Sequence, residues 1–368
     1  GLLVWGLMVQ CVVAMGQETD RWSAPRNIVP PNIEAREARL VILNDGSLNV
    51  TFRGADIESP EIGGIFYTKS TDRGYSWSKP EPVISVPGIQ SVTHQIESEG
   101  TTLLLFVTVF RPPNFEIVQF VSPNGGRTWS ETDTVFAETE PVRAIHSWQM
   151  GGRLFLLLYT ERVRTGNESE FSFYIVRGRG SGAYWDPPVK LHNVYASSIA
   201  ASRLVDNGQG RMPSLYFRQN GFEDHLLENT SENYETWRDR PITSPPVGRE
   251  FRQTDGGIAF KVEATPGRQI LFNRTDNSPP QTKLITPVPS AISKPTLKIV
   301  WEGSDNYTLP DALRYELQMD EQAAFIVSDA TNYQFDSLIN GQHRLTIMAI
   351  DEAENRQVPP TVERFEVK

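Results

Sequence analysis

The sequence has only one cysteine, Cys11, which excludes a disulfide framework and a cluster of thiolate metal ligands. It also lacks an excess of positive charge, because 35 Lys and Arg residues are outnumbered by 45 Asp and Glu residues. The resulting formal net charge of −10 argues against general binding of nucleic acid or of an anionic membrane surface. Apolar residues at helical spacing are absent over any useful length, so the chain is not predicted to be α-helical.

Turn-forming and aromatic residues are abundant by contrast. The chain contains 27 Gly and 26 Pro, together with 8 Trp, 11 Tyr and 18 Phe. Such a composition favours β-structure with many turns. A length of 368 residues allows a large buried core and predicts two domains.

The N-terminal segment is apolar. Residues Leu2–Val13 are apolar apart from Gly6 and Gln10, and Ala14-Met15-Gly16 resembles a small-residue cleavage site. We interpret residues 1–16 as the remnant of a secretory signal peptide, because the apolar run is short for a membrane span. The sequence therefore predicts a secreted, periplasmic or extracellular protein without stable membrane insertion.

One eight-residue pattern, S-x-D/N-x-G-x-S/T-W, organises the rest of the chain. It occurs at Ser70–Trp77 and Ser122–Trp129, and weaker copies end at Trp185 and Trp237. Trp22 is followed by Ser-Ala-Pro and resembles the tail of another copy. These five tryptophans are separated by 55, 52, 56 and 52 residues, and a fixed period of this size indicates a repeat architecture.

Each octet is predicted to be a structural turn. An Asp or Asn at its third position can accept hydrogen bonds from nearby backbone N–H groups, and the glycine at its fifth position supplies a positive φ. The tryptophan anchors the turn on the sheet below it. The residues assigned to this structural role are Ser70, Asp72, Gly74, Trp77, Ser122, Asn124, Gly126, Trp129, Trp185 and Trp237.

Between octets the sequence predicts four short strands in each unit of 50-odd residues, which is typical of a β-propeller blade. The octets resemble the Asp-box (BNR) repeats of sialidase-like β-propellers, and the resemblance covers roughly Gln17 to Ser278. We predict an all-β propeller domain over residues 17–280. Five units are visible, a sixth degenerate blade stays open, and the strand after Trp22 could complete the last blade by closing the ring.

Arginine and histidine recur on the rim opposite the octets, where loops of a propeller carry function. Guanidinium groups that converge there would suit a carboxylate or sulfate. Equally, arginine at a strand end can be solvated while its stem is buried, and both interpretations stay open. The histidines lack partners at ligand spacing, so no metal or cofactor is predicted. The candidate ligand-binding residues are Arg36, Arg53, Arg111, Arg162, Arg218, Arg252, Arg274, His94 and His146.

The sialidase resemblance also implies candidate catalytic residues. Arg36 matches the first carboxylate-binding arginine of that family, although Glu-Ala replaces the Ile-Pro that follows it. Asp56 is the nearest match to the acid/base aspartate. The family uses a tyrosine nucleophile assisted by a glutamate, and the corresponding stretch Ser198–Val205 contains no Glu. Tyr159 and Tyr195 are candidates without a motif, so a non-hydrolytic or strongly diverged member is favoured.

After Pro280 the composition changes, and residues 281–368 are predicted to form an immunoglobulin- or fibronectin-III-like β-sandwich. The run Asn340-Gly341 precedes a strong strand, as in a hairpin. The patterning resembles bacterial modules of the three-Tyr-repeat kind. Asp305, Asp351 and Asn355 could hold calcium, but such loop residues are more often turn formers.

Three functional hypotheses follow from these patterns. The first is a secreted module that binds an anionic carbohydrate or glycoprotein without efficient hydrolysis. The second is an exo-sialidase or related glycoside hydrolase, and the third is a structural scaffold. None of the three involves nucleic acid.

Overall fold

The computed structural model describes residues 21–58, 63–85, 93–164, 166, 168–179, 182–205, 207, 211–231, 234–245, 253–255, 258–328 and 330–368. The predicted signal peptide at 1–16 and Arg252 lie outside these residues. In the part of the chain that is described, no helix has the length and apolar character needed to cross a membrane.

The protein is all-β and consists of a β-propeller followed by a β-sandwich. One compact unit spans Pro25–Arg274 and contains the propeller. The other contains Thr275–Lys368 together with the preceding residues 21–24.

Five antiparallel sheets, called blades 1 to 5 here, form the propeller. In each blade the strands follow one another in chain order from the innermost strand outward, except where blade 5 is completed by the N-terminal strand. Blade 5 comprises β1 (Arg26–Asn27), β19 (Gln253–Asp255), β20 (Ile258–Ala264) and β21 (Ile270–Arg274). Blade 1 comprises β2 (Ile33–Ile42), β3 (Leu48–Asp56), β4 (Gly63–Ser70) and β5 (Glu81–Ser85). Blade 2 comprises β6 (His94–Glu99), β7 (Thr102–Arg111), β8 (Asn114–Ser122) and β9 (Ser130–Glu138).

Blade 3 has one strand more than the others, because β12 pairs with both β13 and β14. Its strands are β10 (Val142–Met150), β11 (Arg153–Val163), β12 (Ser169–Arg179), β13 (Tyr184–Trp185) and β14 (Val189–Ala196). Blade 4 comprises β15 (Ile199–Val205), β16 (Ser214–Gln219), β17 (Glu223–Asn229) and β18 (Trp237–Ile242). The described residues of this unit form five sheets and no sixth.

The ring is closed by the N-terminal strand. Arg26 and Asn27 of β1 pair with Phe272 and Leu271 of β21, antiparallel, as the outermost strand of blade 5. Trp22 therefore precedes the last strand of its blade as Trp77 precedes β5. The prediction that the strand after Trp22 completes the last blade is confirmed.

Apolar side chains between neighbouring blades hold the ring together. Strand β7 shows how, because its alternate residues serve two interfaces. Leu103 and Leu105 pack with blade 1, whereas Leu104 and Phe106 pack with blade 3. Comparable cores lie between blades 3 and 4 and between blades 5 and 1. Strands buried on both faces explain the long apolar runs of the sequence, such as that at 103–107.

The second unit is a sandwich of two sheets. Its core includes Trp301, Tyr315, Leu345 and Phe365, which are almost completely buried. One sheet has the order β22 (Gln281–Leu284), β24 (Leu297–Ser304) and β27 (Asn332–Phe335). The other has the order β23 (Ala291–Ile292), β29 (Thr361–Val367), β28 (Gly341–Ile350), β25 (Arg314–Met319) and β26 (Phe325–Val327).

Candidate functional site

The intact octets form the same corner in blades 1 and 2, between the third and fourth strands. In blade 1 the Ser70 Oγ accepts the Gly74 N–H at 2.8 Å, and the Asp72 Oδ1 accepts the Ser76 N–H at 3.0 Å. In blade 2 the Ser122 Oγ accepts the Gly126 N–H at 2.8 Å, and the Asn124 Oδ1 accepts the Thr128 N–H at 3.0 Å. Side-chain oxygens thus satisfy backbone donors that no strand partner reaches.

The octet tryptophans bridge blades. Trp77 of blade 1 packs edge-on against Phe272 of blade 5, with 5.1 Å between ring centroids. Trp129 of blade 2 packs in the same way on Tyr67 of blade 1 at 5.6 Å. These contacts give the octets a structural role and place the ring on the neighbouring blade rather than only on the sheet below.

The weaker octets keep part of this design. Trp185 of blade 3 meets Phe106 of blade 2 edge-on at 5.5 Å, and its indole N–H donates to Gln119 Oε1 at 2.7 Å. Trp237 is buried in the core between blades 3 and 4. The fifth position of the octet is Gly182 in blade 3 but Tyr234 in blade 4, with φ of 84° and 62°. The left-handed conformation therefore persists where the glycine does not.

Five of the predicted rim arginines lie within 4 Å of a carboxylate, which argues against a freely cationic mouth. Arg162 makes the loosest contact, because its Nε lies 3.9 Å from Glu140. The other pairs are Arg36–Glu34 at 2.7 Å, Arg53–Glu37 at 3.7 Å, Arg111–Glu131 at 2.8 Å and Arg218–Asp224 at 2.8 Å. Arg274 differs from them, since it is only 1% exposed.

Asp56 lies at the end of β3 and organises the loop that follows. Its Oδ1 accepts the Glu58 N–H at 2.9 Å, and its Oδ2 lies 3.4 Å from the Asn32 Nδ2. This is the geometry of an Asx turn, which explains the residue without a catalytic role. Its assignment as the acid/base stays a prediction.

A group of polar side chains joins the innermost strands, and we call it the axial polar cluster. The Arg39 Nε donates to Gln95 Oε1 at 3.1 Å, which links blade 1 to blade 2. Ser147 of blade 3 donates to Glu97 of blade 2. The His146 Nε2 lies 2.9 Å from the Ser202 Oγ and links blade 3 to blade 4. The cluster consists of Arg39, Gln95, Glu97, His146, Ser147 and Ser202.

Burial changes the ionisation of this cluster. It raises the pKa of the Glu97 carboxyl to about 7, although hydrogen bonds from Ser147 and Gln95 oppose the shift. It lowers the pKa of His146 to about 3, and the positive charge of Arg39 adds to the effect. His94, at the start of β6, is completely buried, and burial lowers its pKa to about 3 as well, assisted by Arg39. Both histidines are therefore neutral at physiological pH.

Glu37 is held in an unusual backbone conformation beside the cluster. Its φ is 51°, and β2 has a bulge between Arg36 and Arg39, where Glu37 lies. The Glu37 carboxylate lies 3.7 Å from Arg53, and burial lowers the pKa of Arg39 although the Glu37 charge opposes this shift. Non-glycine residues with positive φ are concentrated at functional sites, which marks this bulge as part of the candidate site.

Of the two tyrosines considered as nucleophiles, Tyr159 lies beside the axial polar cluster. It is buried, and burial raises the pKa of its hydroxyl while a hydrogen bond with Ser202 opposes the shift. Tyr195 is 46% exposed, and its ring lies under the Arg164 guanidinium at 4.9 Å. A tyrosine with a raised pKa is a poor nucleophile without a base.

The sequence analysis missed Gln95, Glu97, Ser147 and Ser202. No local motif marks them, because each contact joins residues from different blades. The separations between the bonded partners are 56, 50 and 56 residues. These values are close to one repeat, so a search for polar residues one period apart in the predicted first strands would have found them.

Three carboxylates in the sandwich unit could bind a cation. Asp276, Asp305 and Asp351 each offer an oxygen within 4.8 Å of the others, and oxygen ligands suit Ca²⁺. Burial raises the pKa of Asp351 to about 6 against hydrogen bonds from Asn355, while Asp276 and Asp305 raise it further. The Asp305 Oδ2 also accepts two backbone N–H groups, as a turn former does. Asn355, the third predicted ligand, instead donates to Asp351 at 2.7 Å.

Comparison with known proteins gives distant structural likeness only. No protein-family model and no curated protein matches the chain. A protein of unknown function from Dyadobacter fermentans is similar with a TM-score of 0.44 and 12% identity over 95% of this chain and 98% of that one. The α-L-arabinofuranosidase of Fusarium graminearum gives 0.41 and 14% over 94% and 98%. The α-L-arabinanase of Penicillium chrysogenum, solved with arabinobiose, gives 0.40 and 14% over 94% and 97%.

Proposed function

We propose that this protein binds a carbohydrate at the axial polar cluster, along the innermost strands of the propeller, and does not hydrolyse it efficiently. The cluster carries the proposal because it combines guanidinium, amide, imidazole and hydroxyl groups. Sugar hydroxyls both donate and accept hydrogen bonds, and this set offers partners of both kinds. Arg39, Gln95, Glu97, His146 and Ser202 are partly exposed although they lie on the innermost strands.

Arg39 is the group best suited to a carboxylate on such a ligand. Its hydrogen bonds go to the Gln95 side chain and the Ala38 carbonyl, and neither acceptor is charged. The Glu37 charge acts on this guanidinium, but no described carboxylate lies within 4 Å of it, in contrast to the paired arginines of the rim, so it can bind an incoming anion. An acidic saccharide is accordingly the favoured ligand, and charge-assisted hydrogen bonds would orient it.

The observation that favours hydrolysis as a second function is the ionisation of Glu97. A carboxyl with a pKa of about 7 is protonated often enough at neutral pH to act as a general acid. Glycoside hydrolysis also needs a second carboxylate or another nucleophile on the opposite side of the sugar. Glu37, on the innermost strand of the neighbouring blade 1, is a candidate for this second carboxylate, but it lies 3.7 Å from Arg53.

Two measurements with matched variants test the proposal. Calorimetric titration with sialylated, uronic and neutral oligosaccharides should show binding that Gln95→Ala weakens at least tenfold and Arg39→Gln abolishes for acidic ligands. Arg111→Gln is the control, because Arg111 pairs with Glu131 on the outer strand of blade 2. Binding by the wild type that survives both axial substitutions would contradict the proposed site.

A further variant, Glu97→Gln, separates binding from catalysis. Turnover of fluorogenic glycosides by the wild type should be undetectable if binding is the function. Turnover that Glu97→Gln abolishes would instead establish the hydrolase. Secretion is part of the proposal too and rests on the apolar segment Leu2–Val13.

A further inference from the structure

A second concave surface lies on the octet rim, at the turns that join the first and second strands of blades 3 and 4. It is an open pocket of about 1370 Å³ between blades 3 and 4. Blade 3 contributes its first turn, including Met150 and Arg153, and blade 4 contributes Arg211, Met212 and the degenerate octet around Tyr234. We call it the blade 3–4 pocket.

Tyr234 is the residue that distinguishes this corner from the intact ones. It occupies the fifth octet position with a φ of 62°, where Gly74 and Gly126 are pressed against aromatic rings of the preceding blade. The Tyr234 ring packs edge-on against Phe155 of blade 3 at 5.5 Å, and its carbonyl accepts the Trp237 indole N–H at 2.8 Å. A tyrosine in this conformation is unfavourable, so its ring is held against the pocket at a cost in backbone strain.

The pocket also contains two arginines, Arg153 and Arg211. Arg153 and Arg211 are exposed, and the guanidinium group of neither makes an ion pair or hydrogen bond with the described part of the chain. Glu228, the acidic residue of the lining, has both carboxylate oxygens engaged by Arg240 at 3.1 and 3.2 Å. Two guanidinium groups without an ion-pair partner among the described residues thus share a pocket with the Tyr234 ring and with the amide of Asn229.

We propose that the blade 3–4 pocket binds an anionic saccharide, with Arg153 and Arg211 on its sulfate or carboxylate group and the Tyr234 ring beneath the sugar. Guanidinium groups bind both anions through paired N–H donors, and an aromatic ring offers a flat apolar face for the C–H groups of a sugar. This site is independent of the proposed axial site and uses none of its residues.

Calorimetric titration of the full chain at low salt tests the inference, with a sulfated disaccharide, trigalacturonate, a neutral trisaccharide and inorganic sulfate as probes. Whichever of the two anionic saccharides binds with the higher affinity shows whether the pocket prefers sulfate or carboxylate. Arg153→Gln and Arg211→Gln should each weaken binding of that saccharide at least tenfold. Tyr234→Ala should weaken binding of the saccharide while leaving binding of inorganic sulfate unchanged. The control is Arg127→Gln, since Arg127 is also exposed, unpaired among the described residues and located in an octet, outside the pocket.

Several results would overturn the inference. These are no binding of either anionic saccharide, equal weakening by Arg127→Gln, or inorganic sulfate binding as tightly as the saccharides. Arg39→Gln should leave binding at the blade 3–4 pocket intact, so that failure of the axial proposal and failure of this one are distinguishable. Thermal unfolding of each variant identifies any loss that is due to misfolding.

Discussion

The octet corners and the axial polar cluster are built from the same propeller repeat but by opposite means. A corner is complete within eight consecutive residues, and blades 1 and 2 reproduce its hydrogen bonds almost atom for atom. The cluster takes different residues from successive blades, and each bond spans about one repeat. The comparison teaches that the repeat preserves the residues that build the ring, while the side chains along the axis differ from blade to blade.

The largest expected effect concerns the glycine of an intact corner. A Cβ on Gly126 would lie 2.1 Å from the Tyr67 ring, and the φ of 88° adds backbone strain. We expect Gly126→Ala to lower the free energy of unfolding by about 3 kcal/mol or more, because ring and backbone are both fixed by packing. Urea denaturation of the purified chain measures this loss.

The matched control for this prediction is Gly100→Ala. Gly100 has a similar φ of 61°, but a Cβ there would meet nothing within 4 Å. The control should cost only about 1–2 kcal/mol, the price of a left-handed alanine. Equal losses at the two sites would mean that the collision with Tyr67 is irrelevant and that the corner is not a packed joint.

The next prediction tests the axial side of the comparison through pH. The pKa of Glu97 is raised from 4.5 to about 7, so the native state binds a proton that the unfolded state releases. Its contribution to stability is full below about pH 4.5 and is lost as pH rises through 7, by at most about 3 kcal/mol. Glu97→Gln should remove this loss while still accepting the Ser147 hydroxyl.

Stability measured by denaturant at pH 5 and pH 8 checks this prediction. The difference between the two pH values should shrink in Glu97→Gln relative to the wild type. Glu131→Gln is a suitable control, because Glu131 is an exposed partner of Arg111 and lies outside the axial polar cluster. An unchanged difference in Glu97→Gln would show that Glu97 is solvated and ionised in the native state.

The same contrast explains what could be predicted from the sequence. The corners were predictable because Asp, Gly and Trp act within one turn, and the closing strand after Trp22 followed from the same spacing. The two sheets of the sandwich were also indicated, since alternation in strands such as Leu297–Ser304 and Gly341–Ile350 is a local signal.

The site was less predictable because side-chain partners are not local. The rim arginines were found from their positions after the strands. Nothing in the sequence indicated that Glu34 would pair with Arg36 or that Asp224 would pair with Arg218. The bulge at Glu37 and the link between Glu97 and Ser147 depend on how two strands are aligned. Tyr234 was visible as a departure from the octet, yet its role in lining a pocket required the neighbouring blade.

A moderate effect is expected from removing the first octet hydroxyl. The Ser122 Oγ accepts the buried Gly126 N–H at 2.8 Å, so Ser122→Ala leaves that donor without its partner. We expect a loss of about 1–3 kcal/mol in the free energy of unfolding. Thr230→Ala in the degenerate corner should cost less than about 0.5 kcal/mol, because among the described residues the exposed Thr230 hydroxyl makes one hydrogen bond, to the Thr236 carbonyl. Similar losses would contradict the distinction between intact and degenerate corners.

The smallest expected effect sharpens the comparison further. If the corners of blades 1 and 2 are equivalent, Asp72→Asn should change the free energy of unfolding by less than about 0.5 kcal/mol. Asn124 already shows the required arrangement, because its Oδ1 accepts the Thr128 N–H and its Nδ2 donates to the Thr128 hydroxyl at 2.8 Å. In the variant the Ser76 hydroxyl would accept where it now donates to Asp72 at 2.5 Å.

Asp72→Ala gives the reference for this last prediction, since it removes the acceptor for the Ser76 N–H and should cost about 1 kcal/mol or more. A loss in Asp72→Asn as large as that in Asp72→Ala would mean that the corner of blade 1 depends on the negative charge. The charge would then distinguish blade 1 from blade 2, and the octets would be separate solutions to the same turn rather than one repeated device.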